Sequence, residues 1–239
     1  MRRVDRRAWL AERRRLVEER FDASLAATYD QVREPISPTH RRFVAALIDT
    51  CPPGGRILDA ACGTGGYFGM VLEAGRQLVG ADQSAGMLAR ARAKHPDVPT
   101  HKAGLQELAY DAEFDAAMCV DAMEYVFPED WPLVLANLRR ALRPGGHLYL
   151  TVERTDERHL AEALAEALAR GLPVVHGEDA PRGGGYHYYP PLDRVARWLR
   201  EAGLSIVANE HSQGDDPSYS YVHLLLRVNG RDQRRSRVS

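Results

Sequence analysis

The chain has 239 residues, of which 44% are hydrophobic, 27% charged and 8% aromatic, with 32 basic against 33 acidic side chains and three cysteines. This balance excludes a disordered chain, a collagen-like repeat and a small disulfide scaffold, and it fits one large globular domain or two small ones. The formal charge of −1 is unevenly spread, because residues 1–20 and 227–239 each carry +4 and the middle carries −9.

The first 30 or so residues read as helical, with Trp9, Leu16, Val17 and Phe21 near one face and arginines on the rest. Pro35 and Pro38 end that run, and Thr39 is placed to cap a second helix through Phe43, Val44, Leu47 and Ile48. After Cys51-Pro52-Pro53-Gly54-Gly55 a period repeats: a short apolar run, a turn, then a helical stretch. Strands are expected at 56–60, 77–81, 98–103, 114–120 and 147–152, with helices to about Ala74, over 84–95 and over 131–142. Such alternation implies βαβ units on a parallel sheet with right-handed crossovers. Beyond Val152 the pattern predicts a helix over 157–170, a proline- and glycine-rich loop over 171–191, and an amphipathic helix around Leu192, Val195, Trp198 and Leu199. Strands 204–208 and 219–228, joined by the turn Gln213 to Pro217, should close the sheet as an antiparallel hairpin.

The basic ends can attract nucleic acid or an acidic membrane face. However, Glu12, Glu18 and Glu19 interrupt the first and no aromatic platform accompanies the second, so both read as solvated ends without a nucleic-acid partner. No apolar run approaches the ~20 residues of a membrane helix, and no stretch resembles a signal peptide. Cys51, Cys62 and Cys119 are odd in number and lack metal-type spacing, so a reduced, cytoplasmic protein without a metal is expected.

The most informative segment is Ile57-Leu58-Asp59-Ala60-Ala61-Cys62-Gly63-Thr64-Gly65-Gly66-Tyr67-Phe68, which leaves a strand and enters a helix. Open α/β sheets place their ligands there. A dinucleotide site requires a third glycine where this chain has Phe68, and a phosphate loop requires a Gly-Lys-Ser/Thr ending that is absent. Asp59 at the strand end would repel a diphosphate and suits a cation, while Asp82, ending the second strand, is placed to accept both hydroxyls of a ribose. The implied ligand is a nucleoside with a positive group in place of phosphates.

Four motifs in order resemble class I S-adenosylmethionine-dependent methyltransferases: Asp59 to Gly65; Gly80-Ala81-Asp82-Gln83-Ser84 with Met87-Leu88; Phe114-Asp115 followed by Met123-Glu124-Tyr125-Val126; and Leu142-Arg143-Pro144-Gly145-Gly146. The resemblance covers residues 40–152 in motif detail. It implies an α/β fold, a Rossmann-like doubly wound seven-stranded sheet in the order 3-2-1-4-5-7-6 with one antiparallel strand. It also implies S-adenosyl-L-methionine as cofactor and a small-molecule methyl acceptor. Carried over by residue, Gly63 and Gly65, with Ala61 between the strand and the first of them, let the backbone approach the methionine moiety. Asp59 lies near its ammonium, Asp82 holds the ribose, Gln83 and Met87 border the adenine, and Cys119 and Val120 give backbone contacts beside the sulfonium.

Two positions depart from the family pattern. Where an acid commonly meets the adenine amino group, the chain reads Ala103-Gly104-Leu105-Gln106, leaving backbone groups of Leu105, beside Gly104, and apolar packing to hold the adenine, with Gln106 as a polar substitute. The histidine common after the fourth strand is replaced by Tyr125, so a general base must be sought elsewhere. The 171–191 loop supplies candidates in Tyr186 and His187, because loops on a rigid sheet carry function and histidine titrates near working pH. Asp121, Glu124 and Tyr125 could either meet substrate or cap a helix. The expected organisation is a helical lid over 1–50, a catalytic domain over 51–229 with a substrate-side insertion at 153–191, and a basic tail over 230–239. A methyltransferase for nucleic acid or protein, a cofactor-binding protein that does not methylate, and a nicotinamide dehydrogenase remain as alternatives.

Overall fold

Strand residues of both parities are apolar, so each strand can bury two faces, and the sheet they form lies between two helical layers. The structure, a computed structural model, describes residues 4–32, 35–183, 185–214 and 218–230. Its large sheet contains β1 (Arg56–Ala60), β2 (Gln77–Asp82), β3 (Thr100–Lys102), β4 (Phe114–Cys119), β5 (Leu142–Thr155), β8 (Leu204–Gln213) and β9 (Tyr219–Val228). The order is β3-β2-β1-β4-β5-β9-β8, which is the expected 3-2-1-4-5-7-6 when the strands of this sheet alone are counted. β9 runs antiparallel to both β5 and β8.

Alternate residues divide between the two faces. Leu58, Ala60, Val79, Ala117, Leu148, Leu150 and Leu226 face α6 (Trp131–Ala141) and α8 (Leu192–Glu201), where the Trp131 and Trp198 rings stack at 5.4 Å. Ile57, Leu78, Ala116, Met118, Tyr149 and Leu225 face α3 (Pro38–Thr50), α4 (Phe68–Glu73) and α5 (Ala85–Lys94). The strand order reverses direction between β1 and β4, which opens a crevice at their carboxyl ends.

Several details differ from the sequence reading. Ser37, not Thr39, caps α3: its hydroxyl accepts the His40 N–H at 3.3 Å, and Pro38 takes the first helical turn, where a missing N–H costs nothing. α3 packs on the sheet, so the part of residues 1–50 that reaches over the crevice is α1 (Arg6–Glu19), a π-helical stretch Arg20–Leu25 and α2 (Tyr29–Val32). The expected third strand shrinks to three residues. After α7 (Glu157–Ala169), the loop contains a two-stranded ribbon of β6 (Glu178–Asp179) and β7 (His187–Tyr188). Asp215, Asp216 and Pro217 of the predicted hairpin turn, and the tail from residue 231, lie outside the described residues.

Candidate functional site

The crevice is lined on the sheet side by the loop that follows β1. Ala61, Gly63 and Gly65 all have positive φ, at 64°, 54° and 76°. That conformation disfavours a side chain, and Ala61 holds it nevertheless. The two glycines are needed for different reasons. A Cβ at Gly63 would meet no atom within 4 Å, so this backbone faces open space in the cavity. A Cβ at Gly65 would lie 2.9 Å from the Phe68 ring, and one at Gly80 would lie 2.7 Å from it. Phe68 therefore fills the space that a dinucleotide loop keeps for a third glycine, and Gly65 is constrained both by its positive φ and by that ring; it is not among the cavity-lining residues.

Asp82 ties this loop to the next. One carboxylate oxygen accepts the Gly63 N–H at 2.8 Å and the other accepts the Ser84 N–H at 2.8 Å. Burial pushes its pKa up, opposed by those two backbone donors. Ser84 in turn caps α5, accepting the Met87 N–H at 3.1 Å. Asp59, Asp82, Gln83 and Met87 all line the cavity. The Cys62 thiol is pushed far up by burial and then by Asp59 and Asp82, which leaves it inert.

The opposite wall is the Ala103–Gln106 segment, held in place by Asn137, whose side-chain amide donates to the carbonyls of Leu105 at 3.1 Å and Gln106 at 2.9 Å. Gly104, Leu105 and Gln106 line the cavity. The Gln106 amide is turned toward Asp130 at 3.3 Å, a carboxylate that also receives Arg14 at 2.7 Å.

Arg14, Val17, Phe21 and Tyr29 bring the N-terminal helices into the lining. Their fastenings ring the crevice: Lys102 to Glu18 at 2.9 Å, Gly86 N–H to Asp22 at 3.0 Å, Thr64 to Asp30 at 2.5 Å, and Lys94 to Asp30 at 2.9 Å. Further out, Arg6 forks onto the buried carboxylate of Glu178 with two bonds of 2.9 Å, joining α1 to the ribbon. As cavity-lining residues these went unrecognised in the sequence, as did Thr64, Tyr67 and Phe127; the amphipathic face holding Val17 and Phe21 was the available signal.

Past β4, Val120, Asp121 and Tyr125 line the cavity, whereas Cys119 is fully buried in the sheet and does not. Asp121 has φ of 51°, donates its N–H to the Thr151 hydroxyl at 2.7 Å, and meets His40 at 3.0 Å. Tyr125 packs edge-on against Phe21 at 5.3 Å and against His187 at 5.0 Å. His187 stands behind Tyr125, outside the lining residues, with Nδ1 3.0 Å from the Tyr189 hydroxyl; burial lowers its pKa, partly offset by Asp179. Tyr186 departs from its expected role. Its hydroxyl donates to Glu178 at 2.7 Å, among Trp9 and Phe127, and it does not reach the cavity.

The lining thus holds Asp59, Asp82 and Asp121, while its cation Arg14 is paired to Asp130. An acid-rich crevice with exposed glycine backbone fits a ligand that carries hydroxyls and positive charge, and it does not fit a diphosphate. Comparison with known proteins agrees. Residues 57–146 match the family described as "Methyltransferase domain". The chain is 31% identical over 206 residues to a demethylmenaquinone methyltransferase of Mycobacterium sp. (strain KMS), covering 83% of this chain and 86% of that protein. It is 30% identical over 182 residues to a ubiquinone biosynthesis O-methyltransferase of Xanthomonas campestris pv. campestris (strain B100), covering 72% and 70%. Among solved structures, the 1,6-didemethyltoxoflavin-N1-methyltransferase of Burkholderia thailandensis shares the fold, with a TM-score of 0.69, 18% identity, and coverage of 95% of this chain and 91% of that one. The chain belongs to the class I S-adenosylmethionine-dependent methyltransferases.

Proposed function

We propose that the protein methylates a small molecule, in the cytoplasm and without a nucleic-acid or membrane partner. The observation that carries this reading is the position of the cavity. It lies at the carboxyl ends of β1 and β4 and is roofed by Arg14, Val17, Phe21 and Tyr29, so an acceptor must fit beneath a cover. Both relatives' names refer to small-molecule quinone chemistry, which supports a small acceptor. No described helix is long and apolar enough to cross a membrane.

S-Adenosylmethionine supplies an electrophilic methyl group. In this reading Asp82 accepts the ribose hydroxyls, Asp59 faces the amino-acid ammonium, and the Gly63 backbone lies along the methionine moiety. Gln83, Met87, Gly104, Leu105 and Gln106 enclose the adenine, and Val120 borders the sulfonium. Tyr125 stands between donor and acceptor space with His187 behind it, which makes Tyr125 the nearer group to an acceptor and His187 its positioning residue. The protein's share of the rate is to orient the acceptor and exclude water, effects worth on the order of 7 kcal/mol or more when geometry is good.

Calorimetry with S-adenosylhomocysteine tests the donor site, and transfer of labelled methyl to a small acceptor tests the reaction. Binding no better than a control protein would overturn the reading. Binding without methyl transfer to any acceptor would favour a cofactor-binding protein of another activity. Loss of activity on removing residues 230–239 would instead favour a nucleic-acid substrate recruited by the basic tail.

A further inference from the structure

Among the described residues that line the cavity, three carboxyl groups can accept a proton from a bound acceptor: those of Asp59, Asp82 and Asp121. Asp82 already holds a backbone N–H on each oxygen, and Asp59 faces the donor's ammonium in the reading above. Tyr125 is a poor base, because burial pushes its phenol well above the ordinary range, and His187 stands outside the lining. Asp121 is left for the acceptor.

Asp121 lies two residues past β4 with φ of 51°. That conformation is costly for a residue other than glycine and persists where the surroundings impose it. Three contacts do so. The Asp121 N–H donates to the Thr151 hydroxyl at 2.7 Å, that hydroxyl donates back to Oδ1 at 3.3 Å, and Nε2 of His40 meets the same oxygen at 3.0 Å. Both side-chain donors fall on Oδ1, so Oδ2 is left to meet a ligand, and the side chain is 34% exposed at the cavity wall. His40 is itself fixed in the first turn of α3. Its ring packs edge-on against His223 at 4.7 Å and Tyr221 at 5.5 Å, and its Nδ1 lies 2.6 Å from the Ser37 hydroxyl. The Ser37 oxygen accepts the His40 N–H, which leaves its hydrogen for Nδ1 and assigns the ring hydrogen to Nε2, facing Asp121.

Resting on the methyltransferase reading, we propose that Asp121 is a catalytic residue that takes the proton of an acceptor hydroxyl, and that His40 is the positioning residue that orients its carboxylate. The acceptor O–H bond breaks with its proton passing to Oδ2 of Asp121, and a lone pair of the oxygen forms the O–C bond. The C–S bond of the donor breaks with its electron pair remaining on sulfur, and Asp121 then returns the proton to solvent. A placed base points to a hydroxyl because a neutral amine attacks unaided and sheds its proton afterwards, whereas a hydroxyl must lose its proton as it attacks. The neighbouring wall of Phe21, Ala122, Tyr125, Val126 and Phe127 suits an apolar ring as the bearer of that hydroxyl.

The test supplies the full-length protein with methyl-labelled S-adenosylmethionine and a panel of phenols, catechols and naphthols, each matched by the arylamine with nitrogen in place of the hydroxyl. Label is expected on the oxygen of at least one member, with slower transfer to its amine. Asp121→Asn, which keeps the size and tolerates positive φ, should lower kcat by about 100-fold or more while changing the acceptor KM less than about threefold. Its S-adenosylhomocysteine binding should change less than twofold. His40→Phe should lower kcat by about tenfold, the effect of one hydrogen bond to a charged group. His40→Gln, which keeps an N–H donor, should recover most of that loss, a difference that mere packing of α3 would not produce. Faster transfer to the amines, or no transfer to any hydroxyl while S-adenosylmethionine binds, would overturn the inference. So would a folded Asp121→Asn variant whose kcat falls less than tenfold, and equal kcat in the two His40 variants would overturn the role of His40. Failure of S-adenosylhomocysteine to bind the wild type would sink the methyltransferase reading instead. The preference for oxygen is read on the wild type, so a variant that fails to fold leaves the test intact.

Discussion

The carboxylate of Asp22 accepts the backbone N–H of Gly86 at 3.0 Å, and with it the hydroxyl of Ser84, so the π-helical stretch is seated on the amino end of α5. Gly86 is what permits the seat, because a Cβ there would lie 2.9 Å from the Asp22 carbonyl and 3.0 Å from the Ala26 methyl. Gly86→Val should lift the N-terminal cover while sparing the sheet. S-Adenosylhomocysteine affinity should fall roughly tenfold, about the effect of one lost charge-assisted contact. Limited proteolysis should cut near residues 20–30 faster, and unchanged affinity would show that the cover does not act on the donor site.

Asp82 ties the fold together through both carboxylate oxygens, and in the proposed function the same oxygens meet the ribose of the donor. Asp82→Ala leaves the N–H groups of Gly63 and Ser84 without their acceptor, at about 1–3 kcal/mol for each that stays dry. Donor binding should fall by at least ~100-fold in calorimetry, with a lower melting temperature. Asp82→Asn keeps an acceptor for one N–H at most and should be intermediate in both.

The two loop glycines should separate binding from stability. Gly63→Ala carries a positive-φ penalty of about 1 kcal/mol and places its methyl in the cavity, so donor affinity should drop more than stability. Gly65→Ala carries the same positive-φ penalty and also drives a methyl into Phe68, so it should cost about 2–3 kcal/mol of stability in denaturant titration. The double variant Gly65→Ala/Phe68→Leu should recover part of that loss, and no recovery would refute the packing explanation.

Glu153 makes stability depend on pH in an unusual direction for a carboxyl group. Its folded pKa lies above the ordinary 4.5, at about 7, so the folded state holds the proton more tightly than the unfolded chain does. Stability should then fall as pH rises from about 4.5 to about 7 and level off above. Glu153→Gln should be more stable than wild type at pH 8 by on the order of 2 kcal/mol, with the difference closing below pH 4.5. Urea midpoints at pH 4, 6 and 8 would reveal the trend, and a constant difference would contradict it.

Sheet order and the shape of the glycine loop after β1 were legible in the sequence because their determinants are local. Strand, turn and helix follow one another within residues 56–95, and Asp59, Gly63 and Asp82 sit at fixed offsets within them. The closeness of Glu124 and Glu153, which raises the Glu124 carboxyl further, was not legible, since it arises only once β4 and β5 are side by side. Asp121 and Glu124 looked equally like helix caps. Tyr186 was misjudged for a similar reason. A tyrosine in a glycine-rich loop offers its hydroxyl to a pocket, and its burial depends on distant partners: Trp9 and Phe127 around the ring, and Glu178, held by Arg6, on the hydroxyl. Phe68 was noticed as a missing glycine, but its contact with Gly80 across the loop depends on tertiary packing.

The fork between Arg6 and Glu178 gives the cover a mechanical character. It clasps the start of the chain to a ribbon more than 170 residues later, with Glu129 and the Pro173 carbonyl filling the remaining guanidinium N–H positions. Breaking it would leave the buried Glu178 carboxylate with the Tyr186 hydroxyl and the Val175 N–H but without its cation, so α1 and the ribbon are held to each other. The amino end of the cover is therefore only as secure as the ribbon that holds it.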